Sequence, residues 1–289
     1  MVTIFGYAKI NLTLDILGLR DDGYHEIATV MQSLALKDTL TLRRREEGIG
    51  LSVDVPGLES DERNLAYRAA ALLIEACGVR GGVDIDIVKR IPVAAGLAGG
   101  SADAAATLRG MNALYDLGLT DEELCGFGAP IGSDIPFSIM GGTVFATGRG
   151  EVMRRLADFP ETTVLLAKPP VAVSTPWAYR SYDAHPPEQH PDNAAFLEAL
   201  ARGDAASCAK LAVNVLEPVT EAAHPVIAAY RARMRRGGAV CAMMSGSGPT
   251  VFGLFADADA AVRTFETFRA ETDAEVHLTR TAGRRNEMV

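Results

Sequence analysis

The chain has 289 residues, 48% of them hydrophobic and 22% charged, with 37 acidic against 28 basic side chains and a formal net charge of −9. This is globular composition with room for one large core or two smaller ones, and its acidity argues against non-specific nucleic-acid binding, which needs clustered cations. The longest apolar runs, such as Val164 to Ala167, are too short to span a bilayer, and the 14 prolines and 28 glycines suit neither a collagen nor a disordered linker.

The opening MVTIFGYAKINLTLD is interrupted by Lys9 and Asp15 and has no basic leader, so no signal peptide is expected and a cytoplasmic protein is. Ile10, Leu12, Leu14 and Ile16 alternate with Asn11, Thr13 and Asp15, which predicts a strand. Ile27 to Leu36, Thr39 to Arg43 and Leu51 to Val55 continue the β character. Leu65, Ala69, Leu72, Leu73 and Ala76 keep the spacing of one helical face, and Asn64 stands where an N-cap belongs. Val83, Ile85 and Ile87 predict another strand, ended by Pro92. A helix is expected over Ala102 to Leu114.

Beyond Gly148-Arg149-Gly150 the texture changes. Thr163 to Ala167 reads as a strand, prolines break the chain at 169–170 and 186–187, and a helical stretch runs from Asn193 to Met234 with interruptions near Gly203 and Pro218. Ala239 to Met244 and Thr250 to Phe255 flank a glycine-rich turn as a strand pair. A helix over Ala258 to Ala270 and a strand over Glu275 to Thr279 close the chain. The whole predicts an α+β protein of two domains, 1–155 and 156–289. Arg43 to Arg45 and Arg231 to Arg236 read as solvated faces. Cys77, Cys125, Cys208 and Cys241 have no CxxC spacing and read as small hydrophobes.

The most informative stretch is PVAAGLAGGSADAA, Pro92 to Ala105, between a strand and a helix. Glycines let backbone approach a ligand, and a helix starting near Ser101 would aim its free N–H groups at phosphate. The stretch is neither a Walker A loop nor a GxGxxG turn, and by physics alone a tight turn is an equal reading. Asp134, in Gly132-Ser133-Asp134-Ile135-Pro136, is either a carboxylate fixed in a cleft or a turn residue capping local backbone. Lys9 is either a snorkelling surface lysine or a cation at a site. Asn11 shares its side of the strand. Tyr24 and His25 follow the turn Asp21-Asp22-Gly23 and so sit on a loop, where binding residues concentrate. Tyr179 suits either helix packing or a binding face. Ser101 suits a helix cap or a phosphate contact.

Pro92 to Ala105 resembles the nucleotide loop of the GHMP small-molecule kinases, written P-x-x-x-G-L-G/S-G-S-S-x-A-A in various spellings. MSGSGPTVF, Met244 to Phe252, resembles that family's third motif. Ala8 to Leu34 and Gly132 to Glu151 resemble members that act on a cytidyl substrate, and the likeness runs from about residue 3 to residue 280. Ala98 stands where the family usually has glycine and must take φ below zero or carry strain of about 1–3 kcal/mol. Ala102 stands where it often has a second serine, which removes one hydroxyl contact to phosphate.

The resemblance implies a ribosomal-S5-like N-terminal domain, a ferredoxin-like α/β C-terminal domain and an active site between them. It implies ATP-dependent phosphorylation of the 2-hydroxyl of 4-diphosphocytidyl-2-C-methyl-D-erythritol, with Mg²⁺ accompanying the ATP. Asp134 is then the base and Lys9 its charge-stabilising partner. Pro92, Val93, Ala94, Ala95, Gly96, Leu97, Ala98, Gly99, Gly100, Ser101, Ala102 and Asp103 hold the phosphates, with Ser101 also the candidate Mg²⁺ ligand. Asn11, Tyr24, His25, Thr175 and Tyr179 contact the acceptor, with the two tyrosines stacking on cytosine and His25 bonding its edge. Expected partners are these small molecules, with no nucleic acid and no membrane, in a monomer or homodimer. The rival readings are a family member acting on homoserine, mevalonate or isopentenyl phosphate, or a non-catalytic ligand sensor on the same fold.

Overall fold

A computed structural model describes residues 1–284. The alternation near the start builds two long antiparallel strands, β1 (Val2–Leu19) and β2 (His25–Arg45), paired along nearly their whole length. Three register shifts, between Tyr7 and Lys9, Asn11 and Thr13, and Ile16 and Gly18, interrupt the ladder; such shifts bend a strand and re-aim its side chains. On its other edge β2 pairs twice: Thr39 to Arg45 with β4 (Gly82–Val88), and Thr29 to Gln32 with β5 (Thr143–Thr147). β3 (Ile49–Val53), parallel to β4, and β6 (Val152–Arg155), antiparallel to β5, complete a six-stranded sheet. β7 (Thr163–Lys168), β8 (Cys241–Met244), β9 (Val251–Phe255) and β10 (Glu275–Arg280) form a second, antiparallel sheet in the order β10-β7-β9-β8.

The helices are α1 (Leu65–Ala76), α2 (Gly99–Tyr115), α3 (Asp121–Gly128), α4 (Ile135–Met140), α5 (Thr175–Ala184), α6 (Asn193–Ala201), α7 (Ala205–Leu211), α8 (Glu217–Ala223), α9 (Val226–Arg236) and α10 (Ala258–Glu271). Leu73 of α1 and Leu108 and Met111 of α2 pack on Leu40, Leu42 and Ile85 of the first sheet. α2 lies close on β1 and β2 because a glycine stands at each contact, Gly6 on β1 and Gly110 on α2. A Cβ on Gly6 would stand 2.7 Å from the Ala102 carbonyl oxygen, and one on Gly110 would stand 2.8 Å from the Leu42 side chain. A further cluster joins Ile10, Leu12, Val30 and Leu34 of the first sheet to Val164, Leu166, Phe252 and Leu254 of the second. The core is therefore continuous across the two sheets.

Three expectations are corrected. Ile27 to Leu36 and Thr39 to Arg43 are one strand, because pairing with β1 continues through the intervening residues. The helical stretch from Asn193 to Met234 is four helices; Asp192 and Asp204 cap two of them by accepting from Ala195 N and Ser207 N, and Pro218 lies in the first turn of a third. α2 begins at Gly99 rather than Ala102, since Ala98 already accepts the first helical hydrogen bond, from Ala102 N at 2.8 Å. The arginine clusters lie on paired faces: Arg43 and Arg45 meet Asp86 and Asp84, and Arg231 meets Glu217 and Glu221. All four cysteines are free thiols. Among the described residues no helix is long and apolar enough to cross a membrane.

Candidate active site

A cleft of about 890 Å³ opens where β1, the glycine loop, the start of α4 and α5 meet. Lys9 is only 5% exposed, and a buried ammonium needs fixed partners. Its Nζ donates to Asn11 Oδ1 at 2.8 Å and sits 3.6 Å from Asp134 Oδ2. Asn11 Nδ2 in turn donates to Thr29 Oγ1 at 2.8 Å, and Thr29 donates to the Thr13 carbonyl at 2.6 Å. This chain fixes the Asn11 amide and, through it, the lysine. The register shift after Tyr7 stands immediately before Lys9, where an interruption of the ladder re-aims the side chain.

Asp134 occupies the N-cap position of α4, with Pro136 in the first turn, yet its side chain makes no cap hydrogen bond. The capping reading is thereby removed. The carboxylate is 37% exposed and faces Lys9, so one buried cation and one accessible anion stand side by side in the cleft.

The glycine loop forms the adjoining wall. Gly96 has φ +73°, and a Cβ there would stand 2.4 Å from the Ser245 carbonyl oxygen; Ser245 Oγ donates to the Gly96 carbonyl at 3.0 Å. Only glycine allows this contact between the loop and the β8–β9 turn. The Leu97 carbonyl accepts from Lys9 N at 3.1 Å, tying the loop to β1. Ala98, at φ +58°, precedes α2 and offers no side-chain cap, which leaves the first-turn N–H groups without a capping partner, as an anion site requires.

At the other end α5 carries Tyr179 and Asp183 one turn apart. The His25 ring packs on Tyr179 with centroids 4.9 Å apart, and its Nε2 lies 2.8 Å from Asp183 Oδ1. Burial, with the nearby Asp134 charge, pushes the Tyr179 phenol up to about 12. Tyr24 is 57% exposed, and the Arg149 guanidinium stands 4.9 Å over its ring. Thr175 Oγ1 lies 2.9 Å from Ser247 Oγ, linking the start of α5 to the β8–β9 turn.

Lys9, Asn11, Tyr24, His25, Asp134, Thr175, Tyr179 and most of the glycine loop thus line one cleft. Leu97 and Ala102 do not. Both are fully buried in the core, because the loop turns the Leu97 side chain inward and α2 packs Ala102 against Gly6. A serine hydroxyl in place of Ala102 would face β1, so this departure removes no phosphate contact. Ser101 is the third residue of α2, not its cap. Asn64 is a cap, accepting from Ala66 N at 2.9 Å, and also lines the cleft.

Sequence reasoning missed Lys89, Arg149, Arg180, Asp183 and Ser247, all of which line the cleft. Asp183 had a signal, the i,i+4 spacing from Tyr179, and Ser247 lies inside the glycine-rich turn. Among the described residues no group of three or more His, Cys, Asp or Glu is placed to hold a metal ion.

Residues 64–142 match the GHMP kinases N terminal domain and residues 196–272 the GHMP kinases C terminal domain. A 4-diphosphocytidyl-2-C-methyl-D-erythritol kinase from Pelotomaculum thermopropionicum is 45% identical over 282 residues, spanning 97% of this chain and 98% of that protein. The chain belongs to the GHMP kinase family. As a GHMP kinase it has the family's two-part α+β fold and is an ATP-dependent phosphotransferase. A second relative, the 4-diphosphocytidyl-2-C-methyl-D-erythritol kinase of Shouchella clausii, is 48% identical over 280 residues, spanning 96% of this chain and 94% of that protein. A crystal structure of 4-(cytidine 5'-diphospho)-2C-methyl-D-erythritol kinase matches with a TM-score of 0.83 at 36% identity, covering 97% of this chain and all of that one. Homoserine kinase from Cytophaga hutchinsonii matches with a TM-score of 0.74 at 18% identity, covering 99% of this chain and 96% of that one; the likeness shows the fold alone.

Proposed function

We propose that the chain transfers the γ-phosphoryl group of ATP to the 2-hydroxyl of 4-diphosphocytidyl-2-C-methyl-D-erythritol, a step toward isoprenoid precursors. The observation that carries this reading is the placement of the Lys9–Asp134 pair between an uncapped glycine loop and a His25–Tyr179 ring pair. Phosphoryl transfer asks little covalent chemistry of a protein, so positioning and electrostatics dominate. The glycine loop and the first-turn N–H groups of α2 hold the triphosphate. Asp134 accepts the proton of the acceptor hydroxyl, and Lys9 Nζ, held by Asn11, offsets the charge carried by the transferred group. Asn11 has one N–H beyond its bond to Thr29, enough for a single contact with the substrate polyol.

Tyr24 and Tyr179 offer stacking faces for cytosine, worth about 1–3 kcal/mol per stack, and Asp183 orients His25 toward the base edge. Homoserine or mevalonate has no base to use these groups. Mg²⁺ fits as an ion carried by the nucleotide, since Mg²⁺ typically takes one or two protein oxygens and completes its shell with phosphates and water. The Ser101 hydroxyl, which lines the cleft, is the protein oxygen offered, and the ion would neutralise phosphate charge. Two domains, 1–155 and 156–289, suit this use, because the glycine loop belongs to the first and Thr175, Tyr179 and Ser247 to the second; residues 285–289 lie outside the described ones.

The test is ADP release by the purified protein with ATP and Mg²⁺, comparing 4-diphosphocytidyl-2-C-methyl-D-erythritol with free methylerythritol phosphate. Turnover confined to the cytidyl compound is expected. Equal turnover on both, or turnover on neither by protein that binds ATP, would remove the assigned substrate.

A further inference from the structure

The glycine loop needs an external hold. Its backbone has positive φ at Ala94, Gly96 and Ala98, and two of those residues carry a Cβ, so the loop conformation is not one the free chain favours. The hold lies beneath it. The β2–β4 ladder ends at the pair Thr39–Val88, and Asp38, one residue beyond it on β2, takes over. Asp38 Oδ1 accepts from Arg90 N at 2.5 Å and Ile91 N at 2.8 Å, while Oδ2 accepts from Lys89 Nζ at 2.5 Å. These three donors are the residues at which the chain leaves β4 for the loop.

The same Lys89 ammonium donates to Asp103 Oδ2 at 2.6 Å, and Asp103 is in α2, just after the loop ends. A Cβ on Gly99 would stand 3.4 Å from Lys89 Nζ, so the ammonium passes directly under the start of that helix. One side chain therefore joins the entry of the loop to its exit. We propose that Asp38, Lys89 and Asp103 form a buried clasp that holds the two ends of the glycine loop together and thereby sets the affinity for ATP, with Asp38 acting as a positioning residue. The inference rests on the kinase reading above, in which that loop receives the triphosphate.

Asp38 separates positioning from contact. It is fully buried and does not line the cleft, so it reaches a bound nucleotide only through the loop. The charge arrangement fits the same role. Burial and the like charge of Asp38 push the Asp103 carboxyl above its ordinary value, against the pull of the Lys89 ammonium, so the ammonium between the two carboxylates is what holds them together. Removing either carboxylate leaves the bridge incomplete. An amide at Asp38 has one acceptor oxygen where the carboxylate uses two, so Asp38→Asn releases either the backbone pair or Lys89.

The experiment is calorimetric binding of ATP, and separately of the cytidyl acceptor, to the wild-type chain and Asp38→Asn. Expected is at least a tenfold loss for ATP with acceptor affinity held within twofold. An ATP affinity within twofold of wild type, or equal loss for both ligands, overturns the clasp. Should Asp38→Asn not fold, Lys89→Met and Asp103→Ala decide by coupling. A double variant that weakens ATP no more than the worse single variant supports one shared device, and multiplied losses overturn it in favour of independent contacts. A wild-type chain that bound no ATP would overturn the kinase reading itself, a result distinct from either outcome in the variants.

Discussion

Ala98 is a strained residue at the end of the glycine loop. The sequence posed a choice between φ below zero and strain, and the structure takes strain, at φ +58°. A non-glycine residue in the left-handed region costs about 1–2 kcal/mol, while a glycine there gives back about 0.4–1 kcal/mol through the freer unfolded chain. The left-handed cost is the larger, so Ala98→Gly is expected to stabilise the protein by about 0.5–1 kcal/mol, read as a higher midpoint in urea unfolding. Asp183 makes a second case. Its bond to His25 Nε2 is half-exposed, which limits its worth to about 1 kcal/mol. Asp183→Ala is expected to raise KM for the cytidyl substrate about fivefold, with KM for ATP unchanged; a change confined to ATP would contradict the assignment of that end of the cleft. Lys9 and Asp134 were legible in the sequence only as choices. The fact that resolves them, a lysine 5% exposed beside an uncapped carboxylate, depends on strands and a loop more than 100 residues apart in the chain.

Elements were legible where periodicity ran unbroken, as in α1, β4 and α10, and illegible where tertiary contact overrode local preference. The start of α2 is the clearest instance. Gly99 and Gly100 are poor helix formers, and they are helical because Ala98 turns the chain and Ala102 N bonds back to it. The β8–β9 turn is held in a way no local pattern foretells. Asn214 Nδ2 donates to the carbonyls of Met244 and Gly246, and Glu217 accepts from Met244 N at 2.6 Å. Burial pushes the Glu217 carboxyl up to about 7 in spite of Arg231 beside it. The folded chain therefore holds this proton more tightly than the unfolded chain, whose glutamate titrates near about 4.3. The Glu217 contribution is full below about pH 4.3 and is lost as pH rises through about 7, a change of about 4 kcal/mol at most. Wild type measured against Glu217→Gln by denaturant unfolding is expected to lose relative stability across that window and to level off above it. A constant difference from pH 4.5 to 8 would contradict the raised value.

At the scale of the molecule, the two sheets are joined by more than the shared apolar cluster. After β10 the chain returns to β2, where Ala282 N donates to the Ser33 carbonyl at 2.9 Å and Gln32 Nε2 donates to the Ala282 carbonyl at 2.8 Å. Ser245 reaches across to Gly96 and fixes the turn of one sheet against the loop of the other. The cleft is thus a product of the whole chain. Its parts could be read in sequence as separate motifs, but their convergence could not, because the distances between them are set by β1–β2 register and by the close approach of α2 to Gly6.

In the proposed reaction Asp134, beside Lys9, receives the acceptor proton. Steady-state phosphoryl transfer from ATP to 4-diphosphocytidyl-2-C-methyl-D-erythritol by wild type and Asp134→Asn, in protein shown to bind both ligands, tests this role. A positioned general base contributes about 10²–10⁴ in rate, so kcat is predicted to fall by that factor. A kcat within tenfold of wild type in Asp134→Asn would contradict the claim.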